Sequence, residues 1–152
     1  MTSNQAMLIL GLFAANWLVM ATYVSLILHR GLAHKAIRFP GWFVKLVTAI
    51  ADTFFIYVNP RVFVAEHRLH HAHADTEDDP DKKPGWSFWR YMLWSIVNPA
   101  GPNDDHVVKV SQDKIFKTRV LRLYSNPWFG VVCQFGGGLI LPYLIIDRKS
   151  VV

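Results

Sequence analysis

The chain has 152 residues, about one domain's worth, yet 52% of them are hydrophobic and only 18% are charged; with a mean hydropathy of +0.21, this balance is unusual for a soluble domain and puts a membrane protein first. The formal charge of +5 is no nucleic-acid footprint, because Lys and Arg are scattered at the ends of apolar segments (Arg30, Lys35, Arg38, Lys45, then Lys109, Lys114, Lys117, Arg119, Arg122), where the positive-inside rule expects them in cytoplasmic loops. One cysteine, Cys133, excludes a disulfide framework and a zinc finger, leaving histidine as the metal-binding side chain.

The first apolar block, Ala6 to Leu28, carries no charged side chain and exceeds the roughly 20 helical residues that a crossing takes. It reads as a transmembrane helix and not as a signal peptide: Met1 to Gln5 has no Lys or Arg, and no small-x-small cleavage site follows. The loop Ala33 to Gly41 ends in the breaker Phe39-Pro40-Gly41. A second apolar segment, Trp42 to Ala65, contains Lys45 and Asp52 and is interrupted by Asn59-Pro60-Arg61. From Glu66 to about Asn126 the chain is polar, with turns at Asp79-Pro80, Lys83-Pro84-Gly85 and Asn98 to Pro102. Within it, the aromatic run Trp86 to Val97 predicts an interfacial helix at headgroup level, an ordinary core helix being the alternative. Trp128 to Ile146 is apolar and uncharged and reads as a second crossing, weakened as a helix by Pro142 and by Gly136 to Gly138.

Six of the seven histidines form two groups, His29 and His34 in HRGLAH and His67, His70, His71 and His73 in EHRLHHAH. On a helix, His67, His70 and His71 fall at i, i+3 and i+4 and share a face. His29 and His34, five apart, would point roughly 140° from each other on an ideal α-helix, so their convergence requires the helix to end or bend near Gly31. His73 is out of phase and is expected in solvent or behind the ligands. Imidazole suits Fe, Cu, Ni and Zn, and five donors exceed one tetrahedral site, which points to two metals. Glu66, Asp75, Asp78 and Asp79 are close enough in sequence to orient a ligating ring through its second nitrogen. The two groups can share a site only on one side of the membrane. The segment Trp42 to Ala65 is therefore expected not to cross but to lie in the interface, re-enter, or pack with Asp52 facing protein. The fold class is all-α and integral to the membrane: crossings at about 6–28 and 128–146, the segment 42–65, and a cytoplasmic helical cap over 66–126.

HRGLAH resembles the first histidine box (H-x4-H) of membrane fatty acid desaturases, and HRLHH, His67 to His71, resembles the second (H-x2-H-H). The run HRLHHAHADTEDDPDKKPGWSF is similar to the region after the second box of the acyl-CoA delta-9 type, and the likeness extends over roughly His29 to Ile146. This resemblance implies a multi-pass membrane enzyme with its histidine boxes on the cytoplasmic side. In it two iron ions, held by the histidines of three boxes, use O2 to remove two hydrogens from a long acyl chain. By the same resemblance, His29, His34, His67, His70 and His71 are iron ligands. The partners it implies are the bilayer, an acyl substrate carried on CoA, acyl carrier protein or lipid, and an electron donor such as ferredoxin or a cytochrome b5-like protein.

The chain departs from the family pattern in three ways: it shows no third box, has Asp81 where many relatives carry His, and lacks a helix usual before the first box. As written it is expected to be inactive. The last six residues, Asp147 to Val152, can be encoded by GATCGGAAGAGCGTCGTG, which matches a common sequencing adapter; the expectation is a non-native tail on a gene that continues past about Ile146. Competing readings are a related di-iron hydroxylase, which would yield an alcohol, and a non-catalytic membrane metal- or haem-binding protein, whose gene would never have held a third box.

Overall fold

A computed structural model of the chain describes residues 3–55, 57–80, 85–87, 89–90, 104–137 and 143. Their regular structure is helical, with no strand among the described residues. Helix α1 (Ser3–Thr22) runs directly into a π-helix (Tyr23–Ala33), followed by α2 (Gly41–Phe54), α3 (Pro60–His73), α4 (Asp105–Ser111), α5 (Arg119–Tyr124) and α6 (Pro127–Phe135).

The joined helix Ser3–Ala33, 31 residues, is the one among the described residues long and apolar enough to cross a membrane; it extends the expected 6–28 span at both ends. Met7, Leu10, Phe13 and Trp17 are 64–69% exposed on it, a density of bare apolar side chains that suits an apolar surrounding. Its other flank buries Met20, Tyr23, Ile27 and Leu28 against Val44 and Ala51 of α2.

What was expected as one segment, 42–65, is two helices. At about 1.5 Å per residue, the 14 residues of α2 reach about 21 Å, short of a bilayer's ~30 Å hydrocarbon core. Asp52, 0% exposed, organises the chain after α2. Its Oδ1 accepts from the Val58 N–H at 3.1 Å and its Oδ2 from the Tyr23 hydroxyl at 3.1 Å, tying this turn to the first helix. Asn59-Pro60, read in sequence as an interruption, begins α3: Asn59 Oδ1 accepts from the Arg61 and Val62 N–H groups, both at 3.2 Å, and proline at the first helical position lacks only a hydrogen no helix would use. The same Asn-Pro device starts α6, where Asn126 Oδ1 accepts from Trp128 N–H at 2.9 Å. Asn59 Nδ2 also donates to the Ser125 carbonyl at 3.1 Å, joining the two starts.

A second core holds the polar centre together. Val64, Val107 and Leu121, each 0% exposed, pack α3, α4 and α5 with Ala33 and Phe116; full burial of such a side chain is worth about 1.5–3 kcal/mol. His106, the histidine outside the two groups, lies in the first turn of α4. Asp81, Lys83, Pro84, most of the aromatic run 86–97, residues 138–142 and 144–146 of the expected second crossing, and the tail 147–152 lie outside the described residues.

Candidate metal centre

The spacing of HRGLAH is resolved by how its helix winds. Through Tyr23–Ala33 the backbone forms a π-helix, whose hydrogen bonds reach five residues back and which recurs at functional sites; the cap bond from His34 N–H to His29 O, 2.9 Å, continues that pattern. Of the expected end or bend near Gly31, the helix shows an end, at Ala33, and the pair converges through the π winding itself. Residues five apart become neighbours across one wide turn, and the Nε2 atoms of His29 and His34 approach to 2.9 Å. Gly31 is needed for another reason: a Cβ there would sit 3.0 Å from the Phe39 ring and 3.2 Å from the Leu26 carbonyl. The winding stops where Lys35 adopts a left-handed φ of 55° and the Arg30 carbonyl accepts from both Ala36 and Ile37, at 2.9 and 3.3 Å.

From α3, His67 Nε2 lies 3.1 Å from His34 Nε2 and 3.1 Å from His71 Nε2. The ligand atoms of His29, His34, His67 and His71 all fall within 4.8 Å of one another. These nitrogens do not satisfy each other. An Nε2 carries either one proton or one lone pair, so the row His29–His34–His67–His71 cannot form three good hydrogen bonds at once. A cation facing all four lone pairs resolves the conflict, since donors about 2.0–2.1 Å from one tetrahedral ion stand roughly 3.3 Å apart. Burial and then the neighbouring histidines, His29 first, push His67 down to about 4, so it is neutral at pH 7, the form that binds metal. The sign for stability follows. Between its ordinary value of 6.5 and about 4, the unfolded chain takes up a proton that the folded one refuses, so metal-free protein is expected to lose stability as pH falls through that window. Thermal melts at pH 7, 5.5 and 4.5 check this; His67→Ala should flatten the dependence, and an equally steep fall in that variant would refute the assignment.

His70 is placed differently from the other four. Its Nδ1 lies 2.9 and 3.0 Å from the two oxygens of Asp79, which is 1% exposed and also accepts from the Asp75 N–H at 3.0 Å. A ring whose Nδ1–H is held by a carboxylate presents its lone pair on Nε2. Its ring centre is 5.3 Å from that of His71 and 6.1 Å from that of His67, beside the four-nitrogen group and outside it. Of the four acidic residues named from sequence, Asp79 lies against this ring, brought back by a turn in which the His73 carbonyl accepts from both the Thr76 N–H and hydroxyl, at 3.0 and 2.7 Å. His73 is outside the group, as expected.

Sequence reasoning missed Arg68, which lies inside HRLHH. Its Nη2 donates to the Leu32 carbonyl at 2.7 Å and to Asp113 Oδ2 at 2.8 Å, and its Nε to the Ala33 carbonyl at 3.2 Å. Burial alone would raise the Asp113 carboxyl, but Arg68, and Lys35 with its Nζ at 3.5 Å, hold it below the usual carboxylate range.

A family model described as "Fatty acid desaturase" matches residues 6–146. The chain belongs to the fatty acid desaturase family. Among curated relatives, this desaturase-family chain is 26% identical over 130 residues to the sn-1 stearoyl-lipid 9-desaturase of Anabaena variabilis, covering 84% of the chain and 45% of that protein. It is 28% identical over 123 residues to the Delta-9 desaturase-like 1 protein of Arabidopsis thaliana, covering 76% of the chain and 40% of that protein. To the Acyl-CoA Delta(11) desaturase of Spodoptera littoralis it is 30% identical over 86 residues, 55% of the chain and 24% of that protein. The chain thus spans less than half the length of these desaturases. No solved structure matches it.

Proposed function

We propose that this chain supplies two of the histidine boxes of a membrane enzyme that desaturates long-chain fatty acyl groups. The supporting observation is that HRGLAH and HRLHH, 33 residues apart at His34 and His67, bring four imidazoles within 4.8 Å inside a chain of the desaturase family. In this reading His29, His34, His67 and His71 are iron ligands, and His70, oriented by Asp79, is the fifth, directed to a second iron. Bound iron supplies the oxidising power with which O2 takes hydrogen from an unactivated methylene. The balance is two hydrogens lost from adjacent carbons, with O2 reduced to two waters by those hydrogens plus two electrons and two protons from outside.

The chain's own part is to hold neutral donors ready. His67 is kept unprotonated by its surroundings, and Asp79 keeps the His70 proton on Nδ1. The closeness of the boxes supports a topology with both on one side, α2 entering the bilayer or its interface and α3 returning; we assign the cytoplasmic side from the flanking Lys and Arg. Two crossings, the helical cap, a ferredoxin- or cytochrome b5-like donor, and an acyl group on CoA, carrier protein or lipid belong to the same reading.

The test is to recover the gene with its flanking sequence from source DNA, express it in a desaturase-deficient host, and analyse fatty acids by mass spectrometry with and without His70→Ala. New unsaturated acids that vanish in the variant are expected. A gene without a third histidine box and a host without new lipid would overturn the proposal in favour of a non-catalytic metal-binding protein.

A further inference from the structure

Helix C-termini leave carbonyls without partners and carry partial negative charge. The π-helix ends at Ala33, one residue before a candidate ligand, and its Leu32 and Ala33 carbonyls both accept from the Arg68 guanidinium. Arg68 is the residue after His67. One planar group therefore fastens the strip of backbone between His29 and His34 to the helix that carries His67 and His71. Its third bond, to Asp113 just after α4, stops the guanidinium from swinging with its own flexible stem. A lysine could not reproduce this, because an ammonium lacks the fixed fork that meets several acceptors in set directions.

We infer that Arg68, braced by Asp113, is a positioning residue that sets the distance and angle between the two histidine pairs of the metal centre. The inference rests on the ligand assignment proposed above. Arg68 touches no reacting atom; it acts by holding the ends of two helices in register, and the 3.1 Å approach of His34 to His67 depends on that register. Partners behind metal ligands are typically worth 10–100-fold in metal affinity.

The experiment uses the purified chain in detergent with Co2+ as the probe, read by its visible absorption spectrum and by titration. Wild type is expected to bind Co2+ and His34→Ala to lose it. Arg68→Ala should bind 10–100-fold more weakly and, at saturating Co2+, show a changed spectrum, which a general loss of stability would not cause; Arg68→Lys should recover only part of the affinity. If Arg68→Ala loses its helices by circular dichroism, Asp113→Ala, which frees one anchor and leaves both carbonyl bonds, carries the test and should bind several-fold more weakly with the same spectral change. Wild-type affinity and spectrum in Arg68→Ala, or in Asp113→Ala where that variant is needed, would overturn the role of Arg68 alone. Failure of wild type to bind Co2+ would instead overturn the ligand assignment and the inference with it.

Discussion

His34→Ala is expected to lower the metal affinity of this chain by more than about 100-fold, beyond the 10–100-fold typical of losing a partner that only supports a ligand. His34 is the hinge of the cluster. Its Nε2 stands 2.9 Å from that of His29 and 3.1 Å from that of His67, and its ring centre is 4.5 Å from that of His71. Removing it leaves three donors, His29 and His67 still facing each other with ring centres 4.3 Å apart, one short of a tetrahedral set. The ring is exposed, so little packing is lost and the melting temperature should hardly move. His73→Ala, at the last residue of α3 and outside the group, is the matched control and should bind as wild type does. Isothermal titration with Co2+ or anaerobic Fe2+ reads both variants; near-native affinity in His34→Ala would show that the four nitrogens do not share an ion.

Gly130→Ala should be a strongly destabilising small change outside the metal centre. Its Cβ would overlap the edge of the Tyr57 ring, so the ring must move. The ring's hydroxyl donates to the Tyr124 carbonyl at 2.7 Å, while the Tyr57 N–H donates to Gln134 Oε1 at 2.8 Å. Overpacking of a tight contact costs about 1–3 kcal/mol and each of the two lost hydrogen bonds about 0.5–1.5 kcal/mol, so a loss of roughly 2–6 kcal/mol is expected, with α6 detaching from the turn between α2 and α3. Tyr57→Ala opens that space. In the double variant the glycine substitution should cost almost nothing further, a coupling that a double-mutant cycle by urea unfolding measures directly. Additive losses would mean that the two residues do not meet.

The first helix, the His67/His70/His71 face and the role of a nearby carboxylate were legible because each rests on a local period or spacing. The π-winding was not. H-x4-H states only that two histidines are five apart, and an α-helical reading of that number demands that the helix end or bend between them; the backbone winds instead as a π-helix to Ala33, with Gly31 packed under Phe39 and Lys35 at a left-handed φ just beyond. Asp52 could be read as a charge facing protein, but its partners Tyr23 and Val58 depend on how the chain folds back between α2 and α3. Arg68 and Asp113 were invisible for the same reason: they are 45 residues apart, and one basic residue beside a histidine face looks like any solvated arginine. Asn59-Pro60 was legible as an interruption, and the chain does break there, one helix ending at Phe54 and the next beginning at Pro60; that the same pair starts the second helix was not.

Those long-range ties also order events during synthesis. All four clustered histidines have been translated by His71, yet Asp113 follows Arg68 by 45 residues and Ser125 follows Asn59 by 66. At about 5–20 residues per second, the brace on Arg68 is delivered roughly 2–9 s after Arg68 itself. Until then the nascent chain carries its imidazoles on helices that nothing beyond them holds in register. A nascent chain that has not reached Asp113 holds Arg68 by the Leu32 and Ala33 carbonyls alone, so the set of three bonds on that guanidinium is completed late in synthesis.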